Sequence, residues 1–257
     1  MGRRRRNNSE PCCYHVTHRC HGRSFLFRFK HDRRSYLERL RETALRFDIS
    51  VLDYMVTSNH VHLLIYSSSA SVLSKAMHHL QGNTARDYNR RKGREGAFWR
   101  GRYHPTMIEN GEHLARCLFY IDVNMVRARA CPHPSKWFGG SYREMTGSRR
   151  RYRILDMQRL LECLMHPGDI HGFSQWYDLT LRDCIGRYSP AREPVWSECI
   201  AVGGKEWLQK LGAGLHGAEI SPVPASGLFA RETDGTYALS GPARTMEEFW
   251  KRQENKR

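Results

Sequence analysis

Residues 49–66, "ISVLDYMVTSNHVHLLIY", constrain the fold of this chain more than any other stretch. Two runs rich in aliphatic and aromatic residues flank Ser58 and Asn59, a tight-turn pair, so the segment reads as an antiparallel hairpin. Side chains alternate faces along a strand, which sends His60 and His62 to one side and Val61 and Leu63 to the other. Two imidazoles side by side on a strand point to a metal, although an HxH pair taken alone more often has a structural role.

The flanking segments extend the hairpin into a larger pattern. Residues 14–21, "YHVTHRCH", alternate with β-branched residues and read as a strand. Residues 34–48, "RSYLERLRETALRFD", carry Leu37, Leu40, Ala44 and Leu45 near helical spacing. Residues 71–91 form a long helical pattern, with Ser69 or Ser71 as its capping serine. "TMIE", residues 106–109, makes a fourth strand, and residues 111–130 a further helix. The order β-α-β-β-α-β-α is that of the ferredoxin-like, split βαβ arrangement: an α+β fold with an antiparallel sheet backed by helices. Past about residue 150 the pattern changes. Residues 152–165 and 193–211 read as helical and residues 220–244 as Gly/Pro/Ser-rich loop, so we expect a small, mainly helical C-terminal extension. The expected division is a basic disordered arm over 1–13, a principal domain over 14–150 and an accessory region with a loose tail over 151–257.

Charge follows the same division. Residues 1–150 hold 28 of the 42 Lys and Arg but only 12 of the 26 Asp and Glu, whereas residues 151–257 are neutral. A surplus confined to one segment is the electrostatic footprint of a polyanion site, and nucleic acid is the usual polyanion for a domain of this basicity. No apolar run approaches the roughly 18 residues of a membrane span, and the basic start is not followed by an apolar signal segment; a cytoplasmic protein is expected. The eight cysteines show no CxxC pairing and read as reduced thiols. A metal cluster of Cys12, Cys13 and Cys20 with His15, His18 or His21 matches no standard zinc spacing.

Residues 120–125, "YIDVNM", offer further chemistry. Tyr120 and Asn124 are four residues apart, hence one turn apart on a helix face. Asn124 could complete a metal site with a carbonyl oxygen, or simply cap a helix; Tyr120 could stand beside it, or serve as a core aromatic. In residues 92–105, "KGREGAFWRGRYHP", Phe98, Trp99 and Tyr103 are interleaved with Lys92, Arg94, Arg100 and Arg102, close to Arg91. Stacking faces among phosphate-neutralising charges are the mixture expected for single-strand or hairpin-loop recognition, unless the loop is ordinary surface.

Taken together, the ordered blocks "YHVTHR", "MVTSNHVHLLIY", "MHHLQGNTARDYNRRKGREGAFWRGRY", "YIDVNMVRA" and "SYREMTG" resemble the single-tyrosine HUH transposases, and among them the REP-associated tyrosine transposases of bacterial chromosomes. The resemblance spans residues 14–147. It implies that His60, Val61 and His62 are the HUH motif, that Tyr120 is the nucleophile, and that His60, His62 and Asn124 hold a divalent ion, Mg²⁺ or Mn²⁺. Arg19, Arg23, Arg90 and Arg127 join Arg91, Lys92, Arg94, Trp99, Arg100, Arg102 and Tyr103 as expected DNA contacts. The implied substrate is single-stranded or hairpin DNA, most naturally repetitive extragenic palindromes, and the implied assembly a monomer or homodimer. The chain departs from the family at Cys20 and His21, at His104 where lysine is common, at Met125 where proline is usual, and at Arg129 where glycine is frequent.

A tyrosine phenol, with a pKa near 10 in water, is a weak nucleophile at neutral pH and needs an activated phosphate. The resemblance implies cleavage through a 5′-phosphotyrosyl bond with release of a 3′-OH, a reaction that runs backwards to rejoin strands. A rolling-circle nickase shares this chemistry, and a catalytically silent binder of structured DNA shares the surface.

Overall fold

A computed structural model describes residues 10–149, 151–186, 193–212, 218–223 and 235–240. The Arg3–Arg6 run of the expected basic arm lies outside the described residues. The first half of the chain runs β1 (Cys12–Arg19), α1 (Lys30–Phe47), β2 (Ser50–Val56), β3 (His60–Ser67), α2 (Ala70–Lys92), β4 (His104–Ile108), α3 (Glu112–Asp122), α4 (Asn124–Arg127) and α5 (Tyr142–Met145). The second half adds α6 (Met157–Leu164), α7 (Ile170–Gly186), α8 (Val195–Glu198), β5 (Ala201–Gly203), α9 (Lys205–Gly212), β6 (Glu219–Pro222) and β7 (Tyr237–Ser240).

The strands form one sheet in the order β2-β3-β1-β4-β5-β7-β6, antiparallel except where β4 meets β5. Its first four strands are the split βαβ arrangement expected from the sequence. β1 and β3 occupy the middle, each paired on both edges, and their Val16, Val61, Leu63, Leu64 and Ile65 are fully buried. Such strands read as nearly continuous apolar runs, so polar side chains within them need partners inside the fold. α2 starts at Ser69, whose hydroxyl accepts from the Val72 amide at 3.3 Å, one of the two expected caps. α1 and α2 pack on each other and reach β2 and β3.

Three features differ from the sequence reading. The helix expected over 111–130 is interrupted at Val123 (φ −78°, ψ 1°), so Tyr120 and Asn124 belong to two successive helices. Arg129 then takes φ 54°, the left-handed region in which glycine is favoured. The C-terminal extension is helical in α6 to α9 but also contributes three strands. The expected helix over 193–211 contains β5, and the expected loop over 220–244 contains β6 and β7. The reason is tertiary: the outer edge of β4 offers unpaired backbone groups, which the short segment Ala201–Gly203 satisfies. Among the described residues no helix is long and apolar enough to cross a membrane, and no disulfide forms.

Candidate active site

The register between β1 and β3 assembles the centre of the site. His62 lies opposite Thr17 and His15 opposite Leu64, so His15 and His62 are diagonal neighbours on one face. Their rings stack with centroids 5.1 Å apart and planes 15° apart. His62 Nδ1 is 2.9 Å from His15 Nε2, and His62 Nε2 is 3.1 Å from the Asn124 amide nitrogen. His60, one pleat along, sets its ring 4.9 Å from that of His62. The Nδ1 atom of His60 is held at 2.7 Å by the Asn59 side-chain oxygen and at 2.9 Å by the Thr57 hydroxyl. With its proton on Nδ1, donated to the Asn59 oxygen, His60 keeps its lone pair on Nε2.

Tyr120 reaches the same place from α3. Its ring centroid is 6.2 Å from that of His62 and 6.1 Å from that of His15. The Arg127 guanidinium lies 4.2 Å above its face, and the Trp196 ring is 6.2 Å away. Tyr120 is only 2% exposed, while Arg127 is half-buried. Arg127 thus forms part of the cover over the Tyr120 ring. Beneath, the junction of α3 and α4 is tied down through Asp122, which accepts from the Tyr177 hydroxyl and, at 3.3 Å, from Ser141. Ser141 also donates to Asp53. Burial pushes Asp122 up to about 7 against these hydrogen bonds, and burial together with the nearby Asp122 raises Asp53 well above the usual carboxylate range.

Among the described residues no group of three or more His, Cys, Asp and Glu is arranged to hold a metal ion. The residues that the resemblance implies would hold one are His60, His62 and the Asn124 carboxamide. Imidazole nitrogens suit divalent transition metals and a neutral oxygen suits Mn²⁺ or Mg²⁺, so the mixed set fits a divalent ion that accepts both kinds of donor, as Mn²⁺ does. The amide presents oxygen instead of nitrogen after a half-turn, since the two ends have the same shape.

The expected DNA contacts divide into several kinds. Arg23, Arg100 and Arg102 are exposed, and Arg19 is half-buried. Arg90 is exposed beside Asp87, whereas Arg91 is drawn to the buried Asp32 at 2.5 Å. Arg94 is spent on Asn89 and the Ala97 carbonyl, at 3.0 and 2.9 Å. The aromatic residues are a correction. Phe98 and Tyr103 are buried in the core, and Trp99 stacks on His18 at 4.1 Å while donating to the Gln81 carbonyl. The loop is pulled inward because His21 donates to the Phe98 carbonyl and Arg100 to the Arg19 carbonyl. Two aromatic faces near this loop do meet solvent, Phe25 and Phe29, 65% and 57% exposed, with Arg28 and Lys92 5.7 and 5.4 Å from the Phe29 ring. Their loop adjoins the His60 end of β3, since Phe27 donates to the Ser58 carbonyl. His104, which stands where the family commonly has lysine, meets the Cys199 carbonyl at 3.0 Å.

The sequence reading missed His15, Trp196, Phe25 and Phe29 as parts of this region. Alternation does place His15 on one face of β1, but only the register with β3 sets it beside His62. "RSFLFRFK", residues 23–30, carries the same basic-aromatic signature as the loop after α2.

Residues 8–124, a little under half of the chain, match the family described as "Transposase IS200 like". One similar solved structure, described as a REP-associated tyrosine transposase bound to a REP hairpin, is 16% identical with a TM-score of 0.48, covering 60% of this chain and 90% of that one. Another, a putative transposase from Deinococcus radiodurans, is 19% identical with a TM-score of 0.35, covering 45% and 91%. No curated protein matches the chain.

Proposed function

We propose that this protein is a transposase, a metal-dependent, single-tyrosine enzyme of the REP-associated kind, which cleaves and rejoins single-stranded DNA beside hairpin-forming palindromes. The observation that carries this reading is the convergence of His60, His62, Asn124 and Tyr120 from three separate elements onto one spot. Tyr120 attacks the scissile phosphorus; the bond from phosphorus to the 3′ oxygen breaks, leaving a 5′-phosphotyrosyl bond. The phenol gives up its proton, and the departing oxygen gains one to become a 3′-OH. Reversal by a 3′-OH rejoins the strands, because the covalent intermediate keeps the phosphodiester energy. His60, His62 and Asn124 would hold a divalent ion, which would supply charge stabilisation at the non-bridging phosphate oxygen.

The remaining steps belong to the chain. Arg127 turns from the Tyr120 ring to the incoming phosphate, which uncovers the nucleophile and neutralises the target together. Arg23, Arg100 and Arg102 track the backbone, and unpaired bases stack on Phe25 and Phe29. A hairpin oligonucleotide with single-stranded flanks, incubated with Mn²⁺ and run on a denaturing gel, tests the reading. A covalent adduct that disappears in excess EDTA is expected; cleavage that persists unchanged in EDTA rules out the metal role, and binding without any adduct marks a silent DNA-binding protein.

A further inference from the structure

The C-terminal extension lies beyond the family-matched segment, yet it touches the centre of the site. Trp196, in α8, places its carbonyl oxygen 2.6 Å from His15 Nδ1. That segment is clamped to β4: the Cys199 carbonyl accepts from Thr106 at 2.9 Å and from His104 at 3.0 Å, and the Met107 amide donates to the Ile200 carbonyl at 2.9 Å. Trp196 itself is fastened through its indole N–H to Glu193 at 2.8 Å. The carbonyl is thus a fixed acceptor.

From that acceptor the hydrogen positions follow one by one. A carbonyl only accepts, so His15 carries its proton on Nδ1. A neutral imidazole has a single N–H, which makes His15 Nε2 an acceptor. The hydrogen bond of 2.9 Å between the two rings is then donated by His62 Nδ1, and His62 keeps its lone pair on Nε2. That nitrogen is the one facing Asn124. In the opposite tautomer of His62, two lone pairs would face each other between stacked rings. We propose that His15 is a positioning residue that holds His62 in its metal-ligating tautomer, anchored by the Trp196 carbonyl, so that the C-terminal extension forms the outer shell of the active site. The inference rests on the metal reading above.

Mn²⁺ binding to the full chain, read from the loss of the free-ion EPR signal, tests it without any DNA. His62→Ala serves as the control for the metal reading itself: wild type must bind and the control must not. If wild type fails to bind, or the control binds equally, the metal reading falls and the inference with it. His15→Phe keeps a flat ring in the stack but removes both hydrogen bonds, whereas His15→Gln supplies one acceptor and one donor. Loss of an outer-shell partner costs about 10- to 100-fold in metal affinity, so His15→Phe falls by that factor while His15→Gln stays near wild type. A merely space-filling role predicts the reverse order and overturns the proposal. Should His15→Phe fail to fold, ¹⁵N–¹H correlations of the His62 ring in the unaltered, metal-free protein decide instead: a proton on Nδ1 supports the relay, and one on Nε2 refutes it.

Discussion

The histidine strand and the basic loop after α2 make opposite journeys from sequence to structure. Each carries a chemical signature, two imidazoles in one case and aromatics among arginines in the other. The imidazoles of His60 and His62 end together on one face, while Phe98 and Tyr103 turn inward and Trp99 stacks on His18. A strand has a built-in period, so spacing translates into direction. A loop has none, and large apolar faces go wherever burial is available. Composition identifies the right ingredients for both regions, but only periodicity supplies an orientation.

The largest expected effect falls on the strand side of this contrast. Tyr120→Phe removes one oxygen and leaves the packing, so the phosphotyrosyl adduct disappears from a denaturing gel while hairpin affinity in a mobility-shift titration stays near that of wild type. An adduct that survived would move the nucleophile to another tyrosine. On the loop side, Phe98→Ala opens the core and lowers unfolding free energy by about 3–5 kcal/mol in a urea titration. A change under about 0.5 kcal/mol, the usual range for a surface site, would return Phe98 to the DNA-facing surface.

The next test concerns His18, which burial pushes down to about 4 against its hydrogen bond to the Gly101 carbonyl at 3.0 Å. Its unfolded pKa is about 6.5. A neutral folded form below that pH means the unfolded chain binds more protons, so stability is full above about 6.5 and is lost as pH falls toward about 4, by on the order of 3 kcal/mol. His18→Gln should flatten this slope in unfolding free energies measured across the window; an unchanged slope would show that the ring stacked on Trp99 is not held neutral.

Smaller effects separate the two DNA-facing surfaces. Phe25→Ala with Phe29→Ala should leave stability unaltered and weaken single-strand binding, at about 1–3 kcal/mol per stacked base. Unchanged affinity would leave those faces without a nucleic-acid role. Arg100→Ala with Arg102→Ala should flatten the salt dependence, by about 0.7 in the log-log slope for each single-strand phosphate that is no longer neutralised. An unaltered slope would place both arginines in solvent throughout binding.

Much of this protein is determined locally. The alternation of residues 49–66 specifies the hairpin and the shared face of His60 and His62, helical spacing specifies α1 and α2, and the spacing of Tyr120 and Asn124 brings them near each other even though the helix breaks at Val123. These follow from the strand and helix periods, which operate within a dozen residues. What only the tertiary structure decided is long-range. The register of β1 on β3 put His15 against His62, and the demand of β4's open edge for partners drew Ala201–Gly203 into the sheet. That same docking placed the Trp196 carbonyl on His15, 181 residues away. No period connects residues so distant; unpaired backbone groups and buried polar atoms do, because each must find a partner somewhere in the fold.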